Sequence, residues 1–188
     1  MAVDGAEQPK SGGGPWLVLI YRVPSEPTRH RAMLWRRLRN LGAVYLQHSA
    51  VALPHTDEHE RALRALRAEI VQRMEGKAYL LSAAALAGET DLVATLNAAR
   101  DDEYDEILDK CVDFHAGLAK EVTAEHFTYG ELEENEEDLA KLMRWYHKVK
   151  ARDLLQARRG TDVETVLQDC ARALEEFAAQ VYAADADS

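Results

Sequence analysis

The residues best suited to chemistry are arginines, and they are unevenly placed. Arg22, Arg29, Arg31 and Arg36 crowd one stretch, WLVLIYRVPSEPTRHRAMLWRRLRNLG at residues 16–42, with Arg37 and Arg39 beside them. No Asp or Glu occurs between Pro27 and Thr56. A guanidinium is always charged and meets an oxyanion through two parallel N–H bonds, so this cluster suits phosphate, sulfate or the backbone of DNA. Arg22 precedes a proline-bounded corner; Arg29 and Arg31 fall in the first turn of the helix that follows it. These three can converge near a helix N-terminus, which itself favours anions. The same arginines also fit a solvated helix face, with Arg31 pairing Glu26 or an acid from the C-terminal half.

A second constellation is Trp145, Lys148 and Arg152, spaced i,i+3 and i,i+4 on one expected helix side. Lys141, Arg144, Lys150, Arg158 and Arg159 extend it into a basic patch. A tryptophan flanked by cations can stack on a base; it is equally a core anchor with snorkelling neighbours. Asp153 beside Arg152 fits a structural pair with an arginine of the N-terminal half better than a catalytic acid. His55-Thr56-Asp57-Glu58-His59 formally matches H-x-x-E-H, a zinc pattern. That pattern requires both histidines on one helix, and His55 follows Pro54 in a loop, so no metal is expected. There is no Gly-rich phosphate loop outside the first residues, no G-x-S-x-G and no Cys–His pair readable from spacing. No cofactor is implied, and the expectation is a non-enzymatic protein.

These residues need elements to position them. Trp16–Val23 is nearly all apolar, which predicts a strand covered on both faces. Trp16, Val18, Ile20 and Arg22 take one face, Leu17, Leu19, Tyr21 and Val23 the other. Pro27 suits a first helical position, capped by Ser25 or Glu26. Thr28–Gly42 is predicted helical, with Leu34, Trp35, Leu38 and Leu41 inward and Gly42 ending it. Ala43–Gln47 and Ala50–Leu53 read as a hairpin, Asp57–Met74 as a helix and Lys77–Leu86 as a fourth strand. The order β-α-β-β-α-β predicts an α+β fold with a ferredoxin-like antiparallel sheet. Beyond Gly88 the reading is helical: Thr90–Glu125 with a break near Arg100–Glu103, Glu131–Gln156, and Asp162–Tyr182. The expected organisation is a tail at 1–15, a ferredoxin-like domain at 16–87, and a bundle of about three helices at 88–184. At least one of those helices is expected on the sheet's second face; a homodimer through the bare face is the alternative.

Bulk composition sets limits. The chain has 188 residues, 47% of them hydrophobic, enough for a real core. Its formal net charge of −10 argues against strong non-specific binding to nucleic acid. Yet residues 1–87 carry +4 and residues 88–188 carry −14, which keeps a local anion site open. Cys111 and Cys170 match no metal spacing and suggest buried thiols in a reduced, cytoplasmic setting. No run approaches the roughly 18–20 apolar residues of a membrane span, and residues 1–15 lack the pattern of a signal peptide.

Two segments carry a family likeness. WLVLIYRVPSEPTRHRAMLWRRLRNLGAVYLQHSAVALP and GELEENEEDLAKLMRWYHKVKARDLL together resemble the ChrB N-terminal domain family, found in bacterial chromate-resistance regulators. The likeness covers about residues 16–182. It implies transcriptional regulation linked to chromate or another oxyanion, with DNA or a small oxyanion such as chromate or sulfate as partner. The opening portion is also similar to the ferredoxin-like domain of phenylacetate-type repressors and of small CRISPR-associated nucleases. Nuclease chemistry is not expected, because Arg22 stands where a metal-binding aspartate would close the first strand. The further C-terminal domain of full-length ChrB proteins is not in this sequence. The competing reading is a protein–protein interaction module that uses the acidic helices and has no anion site.

Overall fold

A computed structural model describes residues 14–186. Residues 1–13 of the tail expected at 1–15, together with residues 187–188, lie outside the described residues. The architecture is α+β, with a four-stranded antiparallel sheet and five helices. The described residues up to Leu96 form one compact unit and those from Asn97 a second.

In the first unit, β1 (Trp16–Arg22) enters a corner whose Glu26–Pro27 peptide bond is cis. Helix α1 (Thr28–Asn40) follows. Pro27 is the N-cap rather than the first helical residue, and neither Ser25 nor Glu26 caps the helix through its side chain. At the other end Gly42 has φ +80°. Its N–H reaches the Arg39 carbonyl and the Ala43 N–H reaches Leu38, a Schellman close that favours glycine. The hairpin β2 (Val44–Gln47) and β3 (Ala50–Pro54) comes next, with an irregularity between Tyr45 and Gln47 that shifts the register at Leu46. Helix α2 (Asp57–Arg73) is capped by the Thr56 hydroxyl, which accepts from the His59 N–H at 3.1 Å. Strand β4 (Lys77–Ala83) closes the sheet in the order β2-β3-β1-β4. It stops short of the expected Leu86 because Ala83 already faces Trp16, the first residue of β1, and no strand remains to pair with.

Alternation along β1 sorts its side chains. Leu17 and Leu19 join Leu34, Leu38, Val51, Leu53, Leu63, Leu66, Ile70 and Ala78 in one core. Both helices therefore pack on the same face. On the opposite face Ile20 is 41% exposed, Tyr79 62% and Leu81 47%. Trp16, on that side, is buried with its indole N–H donating to Glu89 at 3.0 Å, and Ala52 and Val44 are buried there too. Gly14 and Pro15, expected to belong to a tail, are tied to the sheet: the Pro15 carbonyl accepts from the His55 N–H at 2.8 Å.

Helix α3 (Glu89–Thr123) runs unbroken through Arg100–Glu103, where a break was expected. From Asn97 onward it belongs to the second unit with α4 (Tyr129–Lys150) and α5 (Arg159–Ala186). The core positions Tyr104, Ile107, Cys111, Phe114 and Leu118 step by three and four, as do Val163, Leu167, Cys170, Leu174, Phe177 and Val181 on α5. Leu142, Tyr146 and Val149 do the same on α4. That spacing is a heptad seam, so the helices pack knobs into holes. Val112, between Cys111 and Phe114, is exposed. Helix α4 ends at Lys150, before the expected Gln156, and Gln156 adopts φ +58° in the connection to α5.

Helix α4 starts at a Thr128 hydroxyl that accepts from the Glu131 N–H at 3.2 Å. Thr128→Ala removes that acceptor and is expected to cost about 1 kcal/mol. A urea titration should show the lower midpoint with an unchanged slope.

Candidate functional site

At one end of the sheet, the tip of β1, the start of α1 and the β2–β3 hairpin enclose a cleft of about 1040 Å³. It is lined by Tyr21, Arg22, Val23, Arg31, Trp35, Tyr45, Gln47, His48 and Ser49, a set without any carboxylate. Each residue arrives for a local reason. The corner between β1 and α1 brings Arg22 and Arg31 to one opening. The hairpin turn is brought against β1 by the Tyr21 N–H, which donates to the Ser49 carbonyl at 2.8 Å.

Arg31 donates to the Ser25 carbonyl at 3.2 Å, so it braces the corner rather than pairing with Glu26. The Tyr21 and Tyr45 hydroxyls are 3.2 Å apart. Burial, reinforced by that hydrogen bond, raises the Tyr21 pKa, so it stays a neutral phenol. Trp35 was expected in the core with Leu34 and Leu38; it is instead 48% exposed, on the cleft wall. The Arg39 guanidinium lies 5.4 Å from the centre of its ring. Arg37 is engaged elsewhere, in an ion pair with Glu69.

Of the expected N-terminal site residues, Arg22 and Arg31 thus meet in one cleft. Arg29 and Arg36 are exposed on α1 and do not line it. Sequence reasoning missed Tyr21, Trp35, Tyr45, Gln47 and His48 as cleft residues. Trp35 did carry a signal, since it lies one residue past Leu34, at the edge of the stripe that Leu34 and Leu38 define.

The expected C-terminal constellation divides. Trp145 is half-buried against the second core and lines a groove between α3 and α4. Lys148 is exposed on α4. Arg152 falls beyond the end of α4, so it does not share a helix side with them. Its guanidinium binds Glu103 Oε2 at 2.6 Å, and Arg100 lies 3.6 Å from the other oxygen of the same carboxylate. Burial lowers the Arg100 pKa; Glu103 opposes that shift and Arg152 adds to it. Asp153 accepts from the Tyr104 hydroxyl at 3.1 Å and the Ala157 N–H at 2.8 Å, both within the second unit. Arg152 and Asp153 are therefore parts of the second unit's framework.

The H-x-x-E-H histidines are both buried and already engaged. His55 Nε2 meets Glu60 at 2.9 Å, not Glu58, and His59 Nδ1 meets the Pro54 carbonyl at 2.8 Å. Cys170 Sγ lies 3.4 Å from His115 Nε2, a pairing that spacing did not reveal. A hydrogen bond with Cys111, together with burial, raises the Cys170 pKa, so it is held as a thiol. Among the described residues, no helix is long and apolar enough to cross a membrane.

A four-stranded antiparallel sheet backed by two helices, a three-helix second unit and a cationic cleft at the sheet end define an α+β module with an anion-compatible corner. The chain belongs to the ChrB N-terminal family: residues 31–188 match the family described as Protein ChrB, N-terminal. This is the chromate-resistance regulator family. The matched span opens at Arg31, inside α1, so β1 and Arg22 lie ahead of it. No curated protein matches the chain.

Proposed function

We propose that this chain is a non-enzymatic, cytoplasmic regulatory module of the chromate-resistance type. We read its sheet as ferredoxin-like, and its function as binding an oxyanion group, either a free anion or a DNA phosphate. One observation carries this reading: Arg22 and Arg31 share a cleft whose lining contains no carboxylate. In such a place a phosphate or chromate meets two guanidiniums and no opposing charge. The free, buried thiols of Cys111 and Cys170 suit a reducing compartment.

Thermal denaturation with chromate, sulfate and phosphate tests the anion. Each bound anion raises the melting temperature by mass action, and Arg31→Ala removes that rise. A labelled promoter fragment titrated at two salt concentrations tests DNA. Saturable binding that weakens with salt is expected, with a smaller salt slope in Arg22→Ala. No melting shift with any anion, and no saturable DNA binding at low salt, would remove the reading.

A second reading is a protein-interaction module, favoured by the groove between α3 and α4. Asp113, Glu121, Glu131, Glu134 and Asp138 line it around Trp145. Under that reading Arg31→Ala changes nothing in partner binding, whereas a charge reversal at Glu134 does.

A further inference from the structure

The anion reading leaves most of the cleft unexplained. Its volume of about 1040 Å³ is at the upper end of the roughly 300–1,000 Å³ typical of organic ligand sites. A four-oxygen anion between Arg22 and Arg31 would leave the rest as water. The remaining wall is chemically specific. Trp35 offers an indole that is nearly half exposed, with the Arg39 guanidinium over its ring. Gln47, His48 and Ser49 sit on the hairpin side and together supply amide, imidazole and hydroxyl groups that can both donate and accept. An exposed tryptophan beside two guanidiniums joins a π-surface for a base to a charge for a phosphate. That is the pairing single nucleotides and unpaired strands use.

We propose that the cleft binds a nucleotide unit, its phosphate on Arg22 and Arg31 and its base stacked on Trp35. This rests on the reading that the corner holds an anion. The unit has two sources, a free 5′-mononucleotide or an unpaired stretch of nucleic acid. A duplex is disfavoured, since its bases are already stacked and paired.

Isothermal titration of the full chain tests this with inorganic phosphate, 5′-AMP, adenosine, a single-stranded thymidine decamer and a mixed-sequence duplex. AMP is expected to bind at least about fivefold more tightly than phosphate, the smallest gain that one stacked base gives. Trp35→Ala should erase that advantage, so that AMP binds the variant no more tightly than phosphate does. Trp35→Phe, which keeps an aromatic face, should retain most of it and shows that loss in the alanine variant is not misfolding. Arg31→Ala should weaken AMP and phosphate alike. A decamer that binds more tightly than AMP identifies the strand as source; equal or weaker binding identifies the free nucleotide.

Phosphate binding as tightly as AMP would overturn the nucleotide inference while leaving the anion site standing. Adenosine matching AMP, or the duplex surpassing the single strand, would also overturn it. If neither phosphate nor AMP binds, the anion reading itself falls and this inference with it.

Discussion

Replacing Glu103 by alanine is expected to destabilise the second unit by about 3–5 kcal/mol, the cost of leaving buried charges without their partner. Glu103 is 7% exposed and its two carboxylate oxygens face different arginines. Arg152 makes the short contact at 2.6 Å, while Arg100 lies 3.6 Å away. Without the carboxylate, two guanidiniums face each other in a poorly solvated place. Arg100 is the more exposed to that loss in energetic terms, because its Nε and Nη1 have no hydrogen-bond partner among the described residues. Urea denaturation should show a midpoint lower by roughly 1–3 M at an unchanged slope. Arg100→Met is the informative contrast. It leaves the Glu103–Arg152 pair in place and replaces a poorly satisfied cation with an apolar chain of similar length. It should be close to neutral or stabilising. A Glu103→Ala midpoint within error of the parent would mean that water reaches these arginines.

This cluster also marks where the sequence stops being informative. Glu103 and Arg152 meet across 49 residues, and no local period encodes such a pairing. The same holds for Cys170 and His115. Local patterns, by contrast, were read well. The two-residue period of β1 separated Leu17 and Leu19 from Val18 and Ile20. The helical period picked out Leu34 and Leu38 in α1. Errors arose where one local rule met a competing one. Trp35 is large and apolar, so it was grouped with its neighbours, although its angular position carries it to the cleft. The cationic part of the candidate site was visible: Arg22 and Arg31 were singled out because cations without nearby acids stand out in composition. The aromatic and amide wall was not, because Tyr45, Gln47 and His48 reach the cleft only through the hairpin's register.

The two faces of β1 give the second large effect. Leu19 is fully buried among α1, α2 and the neighbouring strands, so Leu19→Ala is expected to cost about 2–5 kcal/mol through lost transfer energy and the cavity it leaves. Ile20, the next residue, points the other way and is 41% exposed. Ile20→Ala should cost under about 1 kcal/mol, in the range of a surface substitution. The pair of measurements therefore reads the cover of each face separately. The continuous apolar run of β1 argued for burial on both sides, and Tyr79 and Leu81 beside Ile20 form an exposed apolar strip on the second. If Ile20→Ala costs as much as Leu19→Ala, that strip is covered in solution. Repeating the measurement over a hundredfold range of protein concentration then identifies the cover. A cost that fades on dilution belongs to a second copy of the chain, since only association depends on concentration. A cost that persists belongs to contacts within the chain.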